Sequence, residues 1–264
     1  MNYTYFFLSL NRTRIKSQTC TKKAAGKKGR LHQEHKGGKC MGIGCRIITD
    51  FKRPDKSLIE RFRGLQVADL DDNMARTQAV RHKIISFSGK PLLGTAFTVK
   101  LPHGDNLMFR AAIRYVKPGD VIIIDAGGFE DRAVMGEVTT KYAMAMGAAG
   151  IVCDGALRDS EVLSTLDFPI FARCASPNGP FFNGPGEVNV PIVCGGQLVT
   201  PGDIVVGDRD GIIFINPEYA EEVLRSTIAA SEKEDAMIRE LESTGTLRQQ
   251  FVWDRLKEIG CTII

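Results

Sequence analysis

Residues 136–159 read GEVTTKYAMAMGAAGIVCDGALRD, and this stretch predicts one helix followed by one strand. The first turn of the helix leaves four backbone N–H groups without partners inside the helix, those of Gly136, Glu137, Val138 and Thr139. A helix start of this kind attracts anions, and a glycine lets a ligand approach the backbone closely. The stretch therefore predicts a cradle for a carboxylate group, although a helix start alone is a weak signal.

The helix is predicted to run to about Met146, because small residues follow it. Val138, Tyr142 and Ala145 have the spacing of one helical face and are predicted to face the core. Lys141 stands four residues after Glu137, a spacing that favours a helical ion pair over a catalytic lysine.

A short buried strand is predicted for Ile151 to Cys153, and Asp154-Gly155 is predicted to turn the chain toward Arg158 and Asp159. An arginine donates two hydrogen bonds to a carboxylate, and an aspartate is a ligand for a hard cation. The pair fits a 2-oxo acid bound to magnesium. Taken alone, the same residues also fit a surface ion pair beside a helix cap.

The composition describes a chain of 264 residues that can bury a full core, with 43% hydrophobic and 25% charged residues. No apolar run reaches the length of about 18 residues that a membrane span needs, so no span is expected. Seven cysteines without a C-x-x-C pair indicate reduced, buried thiols in a cytosolic protein, and neither they nor the four histidines show zinc-ligand spacing.

Residues 1–40 are strongly basic and are predicted to be a disordered leader, because they lack the apolar content of a core. Three other interpretations remain open: an organelle transit peptide, a basic arm for RNA, or an upstream extension of a reading frame that starts at Met41. We favour the last, since a foldable domain opens just after Met41.

Apolar periodicity and turn residues predict the other elements of an α/β domain over residues 41–244. Helices are expected at 56–64, 66–74 and 218–243, and strands at 84–87, 93–101, 121–124, 190–194, 197–199, 204–206 and 212–215.

Asp105 or Asn106 could cap a further helix or serve a site. The bend at 125–128 follows the end of a strand, where α/β proteins often bind ligands. The loop 173–189 is expected to border the site or a subunit contact. Asp208 and Asp210 are interpreted as turn residues rather than metal ligands.

Several motifs in order resemble the RraA-like family over residues 55–240: PHGDNL at 102–107, IDAGG at 124–128, GEV at 136–138, DGALRD at 154–159, GPFFNGPGEVNVPIVCGG at 179–196 and PGDIVVGDRDGI at 202–212. The family includes aldolases for 4-hydroxy-4-methyl-2-oxoglutarate and 4-carboxy-4-hydroxy-2-oxoadipate, together with the regulator of ribonuclease activity A.

The resemblance implies a single-domain α/β/β/α sandwich of the swivelling-domain type that forms a homotrimer or homohexamer. It implies a lyase that uses a divalent metal, Mg²⁺ or otherwise Mn²⁺, to release pyruvate from a 4-hydroxy-2-oxo acid. Loss of carbon dioxide from oxaloacetate would pass through the same enolate and is an expected side activity. The apolar tail, 245–264, is expected to pack on the domain or on a neighbouring subunit.

The resemblance also assigns roles to residues. The substrate carboxylate would lie on the backbone of Gly136, Glu137, Val138 and Thr139 and on Arg158, and Asp159 would bind the metal. Glu137 would help to order water there. A further acid from a neighbouring subunit would be Glu232 or Glu234, although a solvated helix face explains both.

The principal alternative is a non-catalytic regulatory protein that resembles the ribonuclease regulator. Ribonuclease binding is expected only in that case, and binding of nucleic acid or membrane in neither.

Overall fold

The strand predicted at 121–124 is the centre of a large sheet in the computed structural model, which describes residues 42–262. This strand, β4, spans Asp120–Asp125, and four of its apolar side chains are fully buried. Consecutive side chains point to opposite faces, so burial of the whole run requires a layer on each side of the sheet. The predictions for residues 1–40 lie outside the described residues.

The predicted helices and strands are present, and most differ by only a few residues at their ends, whereas the strand predicted at 151–153 spans Gly150–Leu157. The other strands are β1 (Cys45–Ile47), β2 (Ile85–Ser86), β3 (Leu92–Lys100), β5 (Ala133–Met135), β6 (Gly150–Leu157), β7 (Ile170–Ala175), β8 (Gly186–Val188), β9 (Ile192–Cys194), β10 (Gln197–Val199), β11 (Ile204–Gly207) and β12 (Ile212–Ile215). The helices are α1 (Lys56–Glu60), α2 (Val67–Asp72), α3 (Leu107–Ala112), α4 (Glu137–Ala145), α5 (Ser160–Ser164), α6 (Ala220–Thr244) and α7 (Gln250–Glu258), and a 3-10 turn, Ile113–Tyr115, follows α3.

The main sheet has ten strands, and its central path runs β1-β8-β3-β4-β6-β7-β2. Strands β3, β4, β6 and β7 are parallel neighbours, so their carboxyl ends meet at one edge. Strand β5 pairs with the end of β6, while β11 pairs antiparallel with both β3 and β12. Strands β9 and β10 form a separate hairpin.

Alternating side chains divide the interior into three cores. Ile122 and Ile124 of β4 pack with α3 and α4 on one face of the sheet, while Val121 and Ile123 pack with β9 to β12 on the other. The outer face of β11 and β12 then packs against α1, α2 and α6. These layers form the predicted α/β/β/α sandwich.

The predicted turn at Asp154-Gly155 is wrong, because β6 continues through both residues to Leu157 and is buried along its whole length. Asp154 can lie inside a strand because its carboxylate is paired with Arg173 and accepts the Gly195 N–H at 2.8 Å. Gly155 is needed at its position because an added Cβ would lie only 2.8 Å from the Cβ of Ala126.

The predicted core stripe of α4 is also wrong. Val138 is 73% exposed and Tyr142 43% exposed, and Ala145 is exposed as well. The face that packs on the sheet carries Thr139, Thr140 and Ala143. The inward face therefore carries small side chains, and Val138 and Tyr142 mark the outer face of the helix.

The carboxyl-terminal elements bury little surface within this chain. Helix α6 is buried only near its start, and Ile238 and Leu241 further along are exposed. No residue of α7 is buried, and its Phe251 and Trp253 are more than half exposed. Packing of the tail on a neighbouring subunit stays a prediction.

The cysteines follow the prediction in part. Cys153 and Cys194 are buried, and burial raises the pKa of both thiols above the ordinary value, so they are poor nucleophiles. Cys45 and Cys261 are exposed, contrary to the expectation, and all five cysteines within residues 42–262 are free thiols. No helix in this part of the chain is long and apolar enough to cross a membrane.

Candidate active site

A cleft of about 400 Å³ lies where α4 begins and β6 ends. The predicted site residues Gly136, Val138, Thr139, Arg158 and Asp159 all line it. The structure thus brings together residues from both ends of the stretch 136–159, because β5 leads into α4 while running beside the end of β6.

Gly136 lies in the wall of the cleft, where no side chain would fit. An added Cβ would lie 2.6 Å from Asp159 Oδ2 and 2.9 Å from Arg158 Cγ. The glycine is required by this close approach, since its extended backbone is one that any residue can adopt.

The backbone N–H groups at the start of α4 divide into two pairs. Gly136 donates to Thr139 Oγ1 at 3.1 Å, and Glu137 donates to Asp159 Oδ2 at 2.9 Å. The N–H groups of Val138 and Thr139 have no acceptor within residues 42–262. The predicted four-residue cradle is therefore reduced to two donors that are available to a ligand.

Asp159 is held in a left-handed backbone conformation, with φ 59° and ψ 33°. Such a conformation costs a non-glycine residue on the order of 1 kcal/mol, and it recurs at functional sites. One carboxylate oxygen accepts the Glu137 N–H, which leaves the other available at the cleft.

Arg158 is half exposed, and its Nε lies 3.7 Å from Asp159 Oδ2. This ion pair is long, so the guanidinium is not committed to the neighbouring carboxylate. An added Cβ on Gly179 would lie 3.3 Å from Arg158 Nη1, which places the loop 176–185 against the arginine.

Glu137 does not line the cleft and lines instead an adjoining depression that Arg158 and Asp159 share. Its Oε1 lies 2.5 Å from Lys141 Nζ, so the predicted helical ion pair is confirmed. Glu232 and Glu234 are exposed on α6 and do not line the cleft of their own chain.

The loop predicted at 173–189 is shorter than expected, since β7 and β8 take its two ends. It borders the cleft as expected, through Pro180 and Phe182. Asp105 anchors it: one carboxylate oxygen accepts the N–H groups of Asn183 and Gly184, and the other accepts that of Leu107 at 2.9 Å.

We expect Asp105→Ala to loosen this loop. The substitution leaves three backbone N–H groups without their buried acceptor, which should lower the free energy of unfolding by about 2–3 kcal/mol. Urea denaturation measures the loss. Asp210→Ala is the matched control, because the exposed Asp210 side chain accepts no hydrogen bond in the described chain; an equal loss there would contradict the anchoring role.

Asn106 and Arg110 also line the cleft. Asn106 stands at the N-cap position of α3, but its side chain donates to Val134 O at 3.2 Å, and the Leu107 N–H is accepted by Asp105 instead. A site role for Asn106 stays a prediction. Arg110 was not predicted, although it follows Asn106 by four residues on the same helical face. Phe182 has no comparable signal in the sequence.

The predicted bend at 125–128 does not line the cleft, so its expected ligand role is not supported. An added Cβ on Gly127 would lie 2.3 Å from His103 Nε2, so the histidine covers the bend. Burial raises the pKa of Asp125, and the nearby Asp154 carboxylate adds to the rise.

Asp208 accepts the N–H groups of Asp210 and Gly211, which confirms the turn interpretation.

The sequence model of the RraA-like family, described as Aldolase/RraA, matches residues 67–214. The chain belongs to the RraA-like family. The match contains the cleft residues from α3, α4 and β6, so the site lies inside the part of the chain that the family shares.

Three relatives place this RraA-like chain more closely. A protein of Halalkalibacterium halodurans, provisionally named 4-hydroxy-4-methyl-2-oxoglutarate aldolase, is 43% identical over 134 residues, which is 51% of this chain and 64% of that protein. The match thus spans less than two thirds of that relative. An uncharacterized protein from Pseudomonas syringae has a solved structure with a TM-score of 0.68 and 28% identity, over 76% of this chain and 95% of that one.

The third relative is RraAS2 of Streptomyces coelicolor, described as an unusual member of the RNase ES inhibitor RraA protein family. Its structure has a TM-score of 0.64 and 26% identity, over 70% of this chain and 98% of that one. The family therefore joins proteins named as aldolases and proteins named as ribonuclease inhibitors.

Proposed function

We propose that this chain is a divalent-metal-dependent aldolase that cleaves a 4-hydroxy-2-oxo acid into pyruvate and a second oxo compound. The observation that carries the proposal is the meeting of an open helix start, an uncommitted arginine and an aspartate in one cleft. The aldolase name of the Halalkalibacterium relative supports the same reaction class.

The carboxylate of the 2-oxo acid would lie between the start of α4 and Arg158. The N–H groups of Val138 and Thr139 supply two hydrogen bonds, and the positive end of the helix dipole favours the anion. Arg158 supplies a charge-assisted pair of donors from β6.

The residues fit a hard divalent cation, with Mg²⁺ the first choice and Mn²⁺ the second. The described chain holds no group of three or more His, Cys, Asp or Glu side chains able to enclose a metal. Magnesium does not need one, because it commonly binds through one or two carboxylates and completes its shell with water and substrate oxygens. Asp159 would be the protein ligand, with Glu137 nearby to order water. When bound, the cation supplies Lewis-acid stabilisation of the pyruvate enolate.

The proposed metal-dependent reaction requires no Schiff-base lysine, and Lys141 is paired with Glu137 and does not line the cleft. The same arrangement would stabilise the enolate left when oxaloacetate loses carbon dioxide, so we propose decarboxylation as a side activity. We also propose a homo-oligomer, a trimer or hexamer, because exposed Val138 and Tyr142 stand beside the cleft.

The deciding experiment measures pyruvate release by the purified protein from 4-hydroxy-4-methyl-2-oxoglutarate and from oxaloacetate. Turnover is expected with added Mg²⁺ or Mn²⁺ and is expected to disappear with a chelator. A blank with metal and no protein corrects for spontaneous decarboxylation. Absence of turnover with added metal would exclude the aldolase.

Arg158→Ala is expected to lower kcat/KM for pyruvate release by about a hundredfold, because it removes a charge-assisted donor pair. The side chain is half exposed, so the fold and the oligomer should remain. Light scattering checks the oligomer; its loss in this variant would show that the arginine is structural. Arg225→Ala, an exposed arginine on α6 outside the cleft, is the control.

A non-catalytic regulator is the second candidate, and the description of the Streptomyces relative favours it. It predicts binding to a ribonuclease without any turnover of 2-oxo acids. The two candidates therefore separate in the pyruvate assay.

A further inference from the structure

We propose that Arg110 forms a second anion subsite in the cleft, for a carboxylate at the far end of the substrate. This inference rests on the proposed function, in which Arg158 and the start of α4 hold the first carboxylate. It makes Arg110 the residue by which the cleft distinguishes a 2-oxo acid with a distal carboxylate from one without it.

The position of Arg110 is fixed by the helix that carries it. On α3, Met108, Phe109 and Ala112 are buried in the core, so the opposite side of the helix is held toward solvent. Arg110 and Asn106 share the side that lines the cleft. The subsite therefore has a rigid base, although the arginine side chain itself is exposed.

The guanidinium of Arg110 is not neutralised within the described chain. It makes no ion pair or side-chain hydrogen bond with any of residues 42–262, whereas Arg53 forms two hydrogen bonds with Asp120 and Arg173 is paired with Asp154. Its Cζ lies over the ring of Phe182, 5.6 Å from the ring centroid.

The contact with Phe182 prepares the arginine to bind an anion. A guanidinium that rests on an aromatic face keeps its N–H groups directed outward in its own plane. A carboxylate can then accept two of them side by side. The ring belongs to the loop that Asp105 anchors, so the contact also links the subsite to the cleft wall.

The charge balance of the cleft favours binding of a second anion. Its charged lining residues are Arg110, Arg158 and Asp159. With one carboxylate on Arg158 and a cation on Asp159, a substrate with a single carboxylate leaves Arg110 without a counter-charge. The cleft, at about 400 Å³, is within the usual range for small-ligand sites and has room for a chain of five or six carbons.

The test compares two probes that differ at one end only, 2-oxoglutarate and 2-oxopentanoate, in which a methyl group replaces the distal carboxylate. Calorimetric titration in the presence of Mg²⁺ is expected to show about tenfold or greater preference for 2-oxoglutarate in the wild type. Arg110→Ala should abolish the preference by weakening 2-oxoglutarate alone, and Arg110→Lys should keep part of it. Arg114→Ala, an exposed arginine of the next turn that does not line the cleft, should leave both affinities unchanged.

The outcomes separate this inference from the function on which it rests. If the wild type binds neither probe and releases no pyruvate, the proposed function fails. If the wild type binds both probes equally, or Arg110→Ala weakens both by the same factor, the second subsite is wrong while the aldolase proposal survives.

Discussion

Gly136→Ala is expected to lower kcat/KM for pyruvate release by about a thousandfold or more while the protein remains folded. The new methyl group would stand 2.6 Å from Asp159 Oδ2 and 2.9 Å from Arg158 Cγ, far inside contact distance. Both side chains must move away. Displacement of a catalytic group by about 1 Å can cost a hundredfold in rate, and here two groups move together.

The fold should survive because the atoms that must yield belong to side chains and not to backbone. Both Arg158 and Asp159 are partly exposed, so they can swing outward into solvent. Circular dichroism and urea denaturation measure the fold, and the pyruvate assay measures turnover.

Gly211→Ala is the matched control for Gly136→Ala. An added Cβ at Gly211 meets nothing within 4 Å, so turnover and stability should both stay at the wild-type level. Wild-type turnover in Gly136→Ala would contradict the placement of the site at the start of α4.

Asp154→Ala is expected to produce the largest loss of stability, about 3–5 kcal/mol in the free energy of unfolding. Its carboxylate is paired with the partly buried Arg173 and accepts the buried Gly195 N–H at 2.8 Å. Among residues 42–262, removal leaves the Arg173 guanidinium with the longer contact to Glu130 at 3.6 Å and leaves the Gly195 N–H without its acceptor. Urea denaturation measures the change.

Asp167→Ala tests whether loss of any ion pair has the same result. Asp167 is paired with Lys90 at 2.8 Å, but its side chain is 92% exposed and water replaces the contact. We expect no measurable change there. A loss for Asp154→Ala no larger than that for Asp167→Ala would show that the buried pair contributes nothing to stability.

The sequence predicted best the features that neighbouring residues decide. The apolar run 121–124 predicted β4, and the spacing of Glu137 and Lys141 predicted their ion pair. Asp208 bonds to N–H groups two and three residues away, so its turn could also be predicted. In each case the deciding interaction lies within one helical turn, one hairpin or one strand.

Predictions that depended on distant residues were less successful. Asp154 and Gly155 have the composition of a turn, but Arg173 and Ala126 hold them inside β6. The apolar spacing of Val138 and Tyr142 on α4 was real, yet the buried side of the helix carries Thr139, Thr140 and Ala143. Periodicity shows that a helix has two different faces, and packing decides which of them is inside.

The sequence by itself determined the family, the order of the elements and the residues at the ends of 136–159, because these follow from local pattern and motif. Only the tertiary structure decided that Asp159 accepts the Glu137 N–H, that the N–H groups of Val138 and Thr139 find no acceptor among residues 42–262, and that Arg110 and Phe182 line the cleft. These relations join segments far apart in the chain. They exist because parallel strands bring their carboxyl ends to one edge of the sheet and a loop anchored on Asp105 closes over it.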